Sequence, residues 1–270
     1  MTAHASLGRS CLKRSDRDGV AILTLDRPEA RNALSEELIS AITAELDALA
    51  EDSRIRAVVL TANGPVFSSG HDMKEMTARR ADPDGGRAYF ADILGRCSAM
   101  MLRVQRLPQP VIAAVEGVAT AAGCQLVASC DLAVAGAEAR FSTPGVHIGL
   151  FCSTPMVALS RNVSAKHAME MLLLGEMTSA EDAYRMGLVN RVTAAGGALE
   201  EALRMACTIA SKSPHTLRIG KRAFYEQLEM GLDAAYEYAS RVMVENMMAR
   251  DAEEGIGSFL SKRAPTWVGA

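Results

Sequence analysis

The spacing of apolar positions changes from segment to segment, and the changes mark out alternating strands and helices. VAILTLD (20–26) is an apolar, β-rich run closed by Arg27-Pro28, because a proline biases the residue before it away from the helical region. Beyond it, Leu38, Ile42, Leu46 and Leu49 recur at helical spacing. Ser35 is placed to cap that helix, and Glu36 and Glu37 suit its positive first turn. IRAVVLTANGP (55–65) reads as a buried strand ended by Asn-Gly-Pro, and the polar turn SSGHD leads on into DMKEM. Residues 84–106 predict a long helix broken by LPQP (107–110), followed by the strand VIAAVEG, a small-residue turn with its own helix, and the strand DLAVAG (131–136). A short strand is expected near Phe141, helices over 155–161 and 164–174, and a last strand at LVNRV. From about residue 197 the pattern is nearly all helical. The chain therefore reads as an α/β body over 1–196 with a helical C-terminal region over 197–270.

Composition narrows the function classes. A formal charge of -3 and the lack of any basic run give no electrostatic reason to expect nucleic acid as a partner. Cys11, Cys97, Cys124, Cys130, Cys152 and Cys207 contain no C-x-x-C pair, and several sit in apolar segments. That usage suits a reducing compartment, and the expectation is a cytosolic protein. His4, His71, His147, His167 and His215 share no ligand spacing with one another or with the cysteines, so no metal is assigned. MTAHASLGRSCLKR lacks the apolar core of a signal peptide; its Arg9, Lys13 and Arg14 faintly resemble a mitochondrial presequence, but a frayed terminus is expected. No stretch approaches the ~18 apolar residues of a membrane span, so no membrane partner is expected.

Two segments carry candidate chemistry. SSGHD and ATAAGC are both small-residue turns that lead from a strand into a helix. Early helical N–H groups have no internal partner, and the helix dipole adds positive potential, so two such turns brought together would form an oxyanion hole. Small residues at 121–123 also let a carbonyl approach the backbone.

LDRPEARNALS (25–35), FSSGHDMKEM (67–76), AAVEGVATAAGCQLVASCDLAVA (113–135), FSTPGVHIGL (141–150), GEMTSAEDAYRMGLVNRV (175–192) and EEGIGSFLSKRAPTW (253–267) together resemble the crotonase superfamily, the enoyl-CoA hydratase/isomerase family. The resemblance implies a spiral of repeated β-β-α units, a helical C-terminal trimerisation region, and homotrimers that often pair into hexamers. It implies a CoA thioester as substrate, with coenzyme A part of that substrate and no separate cofactor, in fatty-acid or acyl-CoA metabolism. The N–H groups of His71 and Ala122 would bind the thioester oxygen and stabilise an enolate. Asp72, Met73, Lys74 and Gly123 would line the substrate and CoA site, with Phe259 and Lys262 helping to enclose CoA, in some members across a subunit boundary.

The same resemblance places Gln125 and Gly145 where the family's hydratases carry two catalytic glutamates. An amide does not exchange protons near neutral pH and glycine has no side chain, so ordinary hydration is expected to be weak. Installing glutamate at both positions is expected to raise hydration, provided that the cradle is intact. Ala122 stands where glycine is more usual and would be strained if its φ were positive. His71 is expected to serve through its N–H, and His147 to be half-buried scaffold. Ser153 stands where the family's aromatic dehalogenases have a nucleophilic aspartate, with Cys152 beside it, which leaves a divergent hydrolase or decarboxylase conceivable. A non-catalytic acyl-CoA binder is the third alternative. The Met-rich run 242–250 reads as helix packing or a subunit interface.

Overall fold

The computed structural model describes residues 10–270, so the expected frayed terminus before Ser10 lies outside the described residues. β1 (Leu12–Arg17) and β2 (Val20–Leu25) form an antiparallel hairpin, followed by α1 (Glu36–Glu51), β3 (Ala57–Ala62), β4 (Val66–Ser68) and α2 (Met73–Ala78). Next come α3 (Arg87–Arg106), β5 (Val111–Val115), β6 (Val118–Thr120), α4 (Ala122–Ser129), β7 (Leu132–Gly136), β8 (Arg140–Ser142) and α5 (Ser153–Leu159). α6 (Ala165–Leu174), β9 (Thr178–Ser179), α7 (Ala180–Met186) and β10 (Arg191–Thr193) complete the body, and α8 (Ala198–Ala210), α9 (Pro214–Gln227), α10 (Leu232–Met247) and α11 (Arg250–Leu260) end the chain.

Three successive segments, β3-β4-α2, β5-β6-α4 and β7-β8-α5, follow the same path. In each, the first strand joins a six-stranded sheet of order β1-β2-β3-β5-β7-β10, and the second joins a four-stranded sheet of order β4-β6-β8-β9. The neighbouring repeats pair in parallel in both sheets, Val58 with Val111 and Ile112 with Leu132 in the first, Val118 with Arg140 in the second. Each repeat is thus displaced by one strand from the last. As a consequence, the turns after β4 and β6 lie side by side, and so do the N-termini of the helices they open.

The large sheet is covered on both faces, which explains why its central strands read as unbroken apolar runs rather than alternating ones. Val58, Leu60, Val111 and Ala113 face the cluster that includes α1, α3 and α4 residues, while Ala57, Val59, Ile112 and Ala114 face Ala198, Ala202 and Ala206 of α8. α1 forms as expected, with Ser35 Oγ accepting from Leu38 N–H at 3.2 Å. The long helix starts at Arg87 rather than 84, because Gly85 and Gly86 have positive φ and Asp84 is spent on the Gly86 and Ala88 N–H groups. α5 starts at Ser153, earlier than expected, and of LVNRV only the end from Arg191 joins the sheet; Asn190 instead accepts from Ala133 N–H at 2.8 Å.

Candidate functional site

The first turn, Ser68 to Asp72, is braced from below by the segment after β2. Asn32 is fully buried at φ 49, a left-handed conformation that asparagine tolerates better than most residues. Its Oδ1 accepts from Arg27 N–H at 2.8 Å, and its Nδ2 donates to the Asn63 and Val66 carbonyls at 2.9 and 2.7 Å. Ser68 Oγ donates to the Asn32 carbonyl at 2.9 Å. The neighbouring Leu34 donates its N–H to Gly70 O at 2.8 Å and accepts from Asp72 N–H at 3.4 Å. In that parallel bridge, residues 70 and 72 point their backbone groups at Leu34, so the N–H of His71 between them points the opposite way. Nothing in the composition singled out Asn32; the only signal was its place in the ARNALS stretch.

The second turn carries its strain one residue earlier than expected. Ala122 is the first residue of α4 and is not in a positive-φ conformation, whereas Ala121 has φ 51 and ψ -120. Such backbone costs on the order of 1–3 kcal/mol and persists where the surroundings enforce it. Here Ala121 donates its N–H to Ser142 O at 2.9 Å, and its carbonyl accepts from Gln125 N–H at 3.0 Å. The next residue, Gly123, leaves no room for a side chain, since a Cβ would overlap the Ser68 carbonyl of the first turn.

The two turns meet at Gly70, whose φ is +86. A Cβ there would lie 3.1 Å from Ala122 N and 2.9 Å from Ala121 Cβ, so glycine is required both for its conformation and for the contact. Among the described residues, neither His71 N–H nor Ala122 N–H has a hydrogen-bond partner. Two unpartnered backbone donors from adjacent turns, one of them at a helix N-terminus, can serve a single carbonyl oxygen.

Gln125 is 5% exposed, and its Oε1 is buried without a partner. Burial pushes the His71 imidazole below the usual histidine range, and both of its ring nitrogens lack partners. Gly145 lies in a short 3-10 turn (Pro144–Ile148) against the following loop. A Cβ on it would stand 2.8 Å from Leu150 O and 3.0 Å from Cys152 Sγ. A side chain at 145 therefore requires the backbone at Leu150 to shift, which limits what glutamate there could contribute.

The remaining candidates divide by position. Asp72 caps α2, accepting from Lys74 N–H at 3.0 Å and Glu75 N–H at 3.4 Å, and faces Arg27 at 3.8 Å; Met73 and Lys74 are exposed on the first turn of that helix. His147 is exposed rather than half-buried, with its Nε2 against Gly175 at the end of α6. Ser153 is exposed and donates to Phe151 O at 3.3 Å. Burial raises the Cys152 thiol pKa, so neither residue is an activated nucleophile. Phe259 is 82% exposed, and Lys262 is exposed just beyond α11, whose helix packs chiefly on α9 and α10. An open cleft of about 460 Å³ lined by Glu181, Tyr184, Asn190, Arg191 and Glu201 includes none of these residues.

Residues 15–270 match the family model described as enoyl-CoA hydratase/isomerase. The chain belongs to the enoyl-CoA hydratase/isomerase family. Its fold is the crotonase fold, with two mixed sheets and C-terminal helices. A solved enoyl-CoA hydratase from Mycobacterium smegmatis superposes with a TM-score of 0.91 at 50% identity, covering 96% of this chain and 99% of that one. The human enoyl Coenzyme A hydratase domain-containing protein 3 structure gives 0.90 at 44% identity, covering 95% and 100%. In sequence, the Homo sapiens protein described as enoyl-CoA hydratase domain-containing protein 3, mitochondrial, is 46% identical over 250 residues, 93% of this chain and 81% of that protein. The rat, mouse, frog and zebrafish counterparts carry the same mitochondrial description at 42–46% identity. These relatives overturn the cytosolic expectation: scattered, buried cysteines report a reducing environment, and that does not single out the cytosol. Family membership makes acyl-CoA thioesters the ligand class.

Proposed function

We propose that the chain binds an acyl-CoA thioester with its carbonyl oxygen between the N–H groups of His71 and Ala122, polarising it toward an enolate. The observation that carries this reading is the contact of the two turns at Gly70, which leaves both donors unpartnered. The reaction type is lyase or isomerase chemistry of the family, with ordinary hydration weak. Gln125 and Gly145 supply no proton-transfer group. A hydrolytic route through Ser153 or Cys152 has no activated nucleophile to support it. Asp72, Met73, Lys74 and Gly123 would flank the ligand, and Phe259 and Lys262 would approach its CoA portion. A homotrimer, or a pair of them, accounts for the apolar side chains left uncovered on the C-terminal helices, including Met243, Val244, Met247 and Phe259.

Comparing an acyl-CoA with the thioether analogue that lacks only the carbonyl oxygen tests the hole without altering the protein. Two neutral hydrogen bonds contribute about 1–3 kcal/mol together, so the thioester should bind roughly 5–150-fold more tightly by calorimetry. Equal affinity for the two ligands would show that the carbonyl lies elsewhere. Turnover across enoyl-, hydroxyacyl- and malonyl-type thioesters then separates a catalyst from a binder.

A further inference from the structure

The segment Pro214–Ala270 forms an arm whose attachment to the body is polar and concentrated at one point. No apolar residue of α9 or α10 is buried, and the buried residues of α11 are Asp251 and Ser258. Asp251 serves the root and tail of the arm, accepting from Ser213 Oγ at 2.6 Å and from Val268 N–H at 2.8 Å. Among the described residues, two contacts from the arm to the body are peripheral: the exposed pair Arg161–Glu229 at 3.1 Å, and Trp267 Nε1–H donating to Ser211 O at the root of α9. Every other hydrogen bond or ion pair between Pro214–Ala270 and residues 10–212 passes through Lys221 or Tyr225.

Lys221, with its side chain 7% exposed, places its three ammonium protons on three acceptors: Asp131 Oδ2 at 2.6 Å, Gln109 O at 3.0 Å and Val104 O at 3.1 Å. Val104 lies in the last turn of α3, where carbonyls lack helical partners and the dipole favours a cation. Asp131 is filled in turn: Oδ2 also accepts from Val111 N–H at 2.7 Å, and Oδ1 accepts from Tyr225 O–H at 2.9 Å. A buried pair with its protons and lone pairs satisfied in this way is geometrically exacting. It keys the arm to the end of α3, the start of β5 and the residue two beyond the end of α4. The opposite end of α4 is Ala122.

We infer that Lys221 is a positioning residue: with Asp131 and Tyr225 it fixes the arm relative to α4, and so determines how firmly the nucleotide portion of a CoA ligand is held. The second half rests on the function proposed above. The first is independent of it.

Hydrogen exchange of the full chain measures the anchoring. In Lys221→Met, the amides of α9 and α10 should exchange at least 10-fold faster while those of β3 and β5 are unchanged. Tyr225→Phe, which keeps the ion pair, should show the same pattern at smaller amplitude and provides the test if Lys221→Met does not fold. Unchanged arm exchange, or acceleration spread equally over arm and body, would overturn the anchoring role. For the ligand, affinity for an acyl-CoA should fall at least 5-fold in Lys221→Met. Affinity for the same acyl group on N-acetylcysteamine, which has no nucleotide, should change less than 2-fold. Equal losses for both, or faster arm exchange with unchanged acyl-CoA affinity, would overturn the ligand role. If wild type binds neither thioester, the proposed function fails, and the exchange pattern alone decides whether Lys221 positions the arm.

Discussion

Gly145 offers a direct measurement of how the chain departs from a two-glutamate site. Its φ lies outside the left-handed region, so replacing it by alanine carries no backbone penalty. On entropy alone, Gly145→Ala would stabilise the fold by about 0.4–1 kcal/mol. Against that, the new methyl carbon would stand 2.8 Å from Leu150 O and 3.0 Å from Cys152 Sγ, distances that require something to move. Overpacking of this kind costs about 1–3 kcal/mol, so the net expectation is a loss of about 1–2 kcal/mol. Of the two obstacles, the thiol can rotate away and the carbonyl belongs to the backbone. Cys152→Ala should therefore recover part of the loss, with a coupling of about 0.5–1 kcal/mol in a double-mutant cycle. Urea unfolding at pH 7 and fixed protein concentration provides the measurement. Hydration of a short enoyl-CoA by Gln125→Glu/Gly145→Glu extends it to function. That variant is expected to stay far below a family hydratase, because the 150–152 loop crowds even the Cβ of a residue at 145. If Gly145→Ala is as stable as wild type, or if the double glutamate variant hydrates efficiently, the loop yields readily and the steric reasoning is wrong.

Ala121→Gly should raise stability by about 1 kcal/mol, since relief of the φ 51 strain exceeds the entropic cost of glycine; a lower urea midpoint would contradict this. Asn32→Ala, which removes one acceptor and two donated hydrogen bonds beneath the first turn, should cost about 2–4 kcal/mol and weaken thioester binding in whatever fraction folds. Because burial lowers the His71 pKa, the unfolded chain takes up a proton on that residue at a higher pH than the folded chain does. Stability should therefore fall as pH drops below about 6.5, and the wild type should lose more between pH 7 and 5.5 than His71→Gln does; parallel pH profiles would refute the neutral imidazole. Thiol labelling of the native protein at pH 8 should modify Cys207 fast and Cys97 and Cys124 only after denaturation, since burial pushes the latter two up to about 12; rapid modification of either would show the core is open.

Periodicity and turn chemistry were enough to delimit most elements, because the signals that set them are local. Ser35 caps its helix, Arg27-Pro28 ends a strand, and the helical spacing from Leu38 to Leu49 survives folding unchanged. The resemblance of the motif segments to the family agreed with the match over 15–270. That exposed N–H groups would precede α2 and α4 was also legible, as small-residue turns before helices; the particular residues 71 and 122 came from the family resemblance. What the sequence could not determine was everything that depends on two distant segments sharing one volume. Strain at Ala121 rather than Ala122 comes from the Ser142 carbonyl in the next repeat. The closed space at Gly145 comes from a loop folding back on it. Lys221 reads as an ordinary helix-surface lysine, yet its ammonium lies 2.6 Å from a carboxylate 90 residues earlier in the chain. Local pattern fixes backbone conformation, where neighbours in sequence decide the energy; room and partners for a side chain are fixed only when packing brings remote segments into contact.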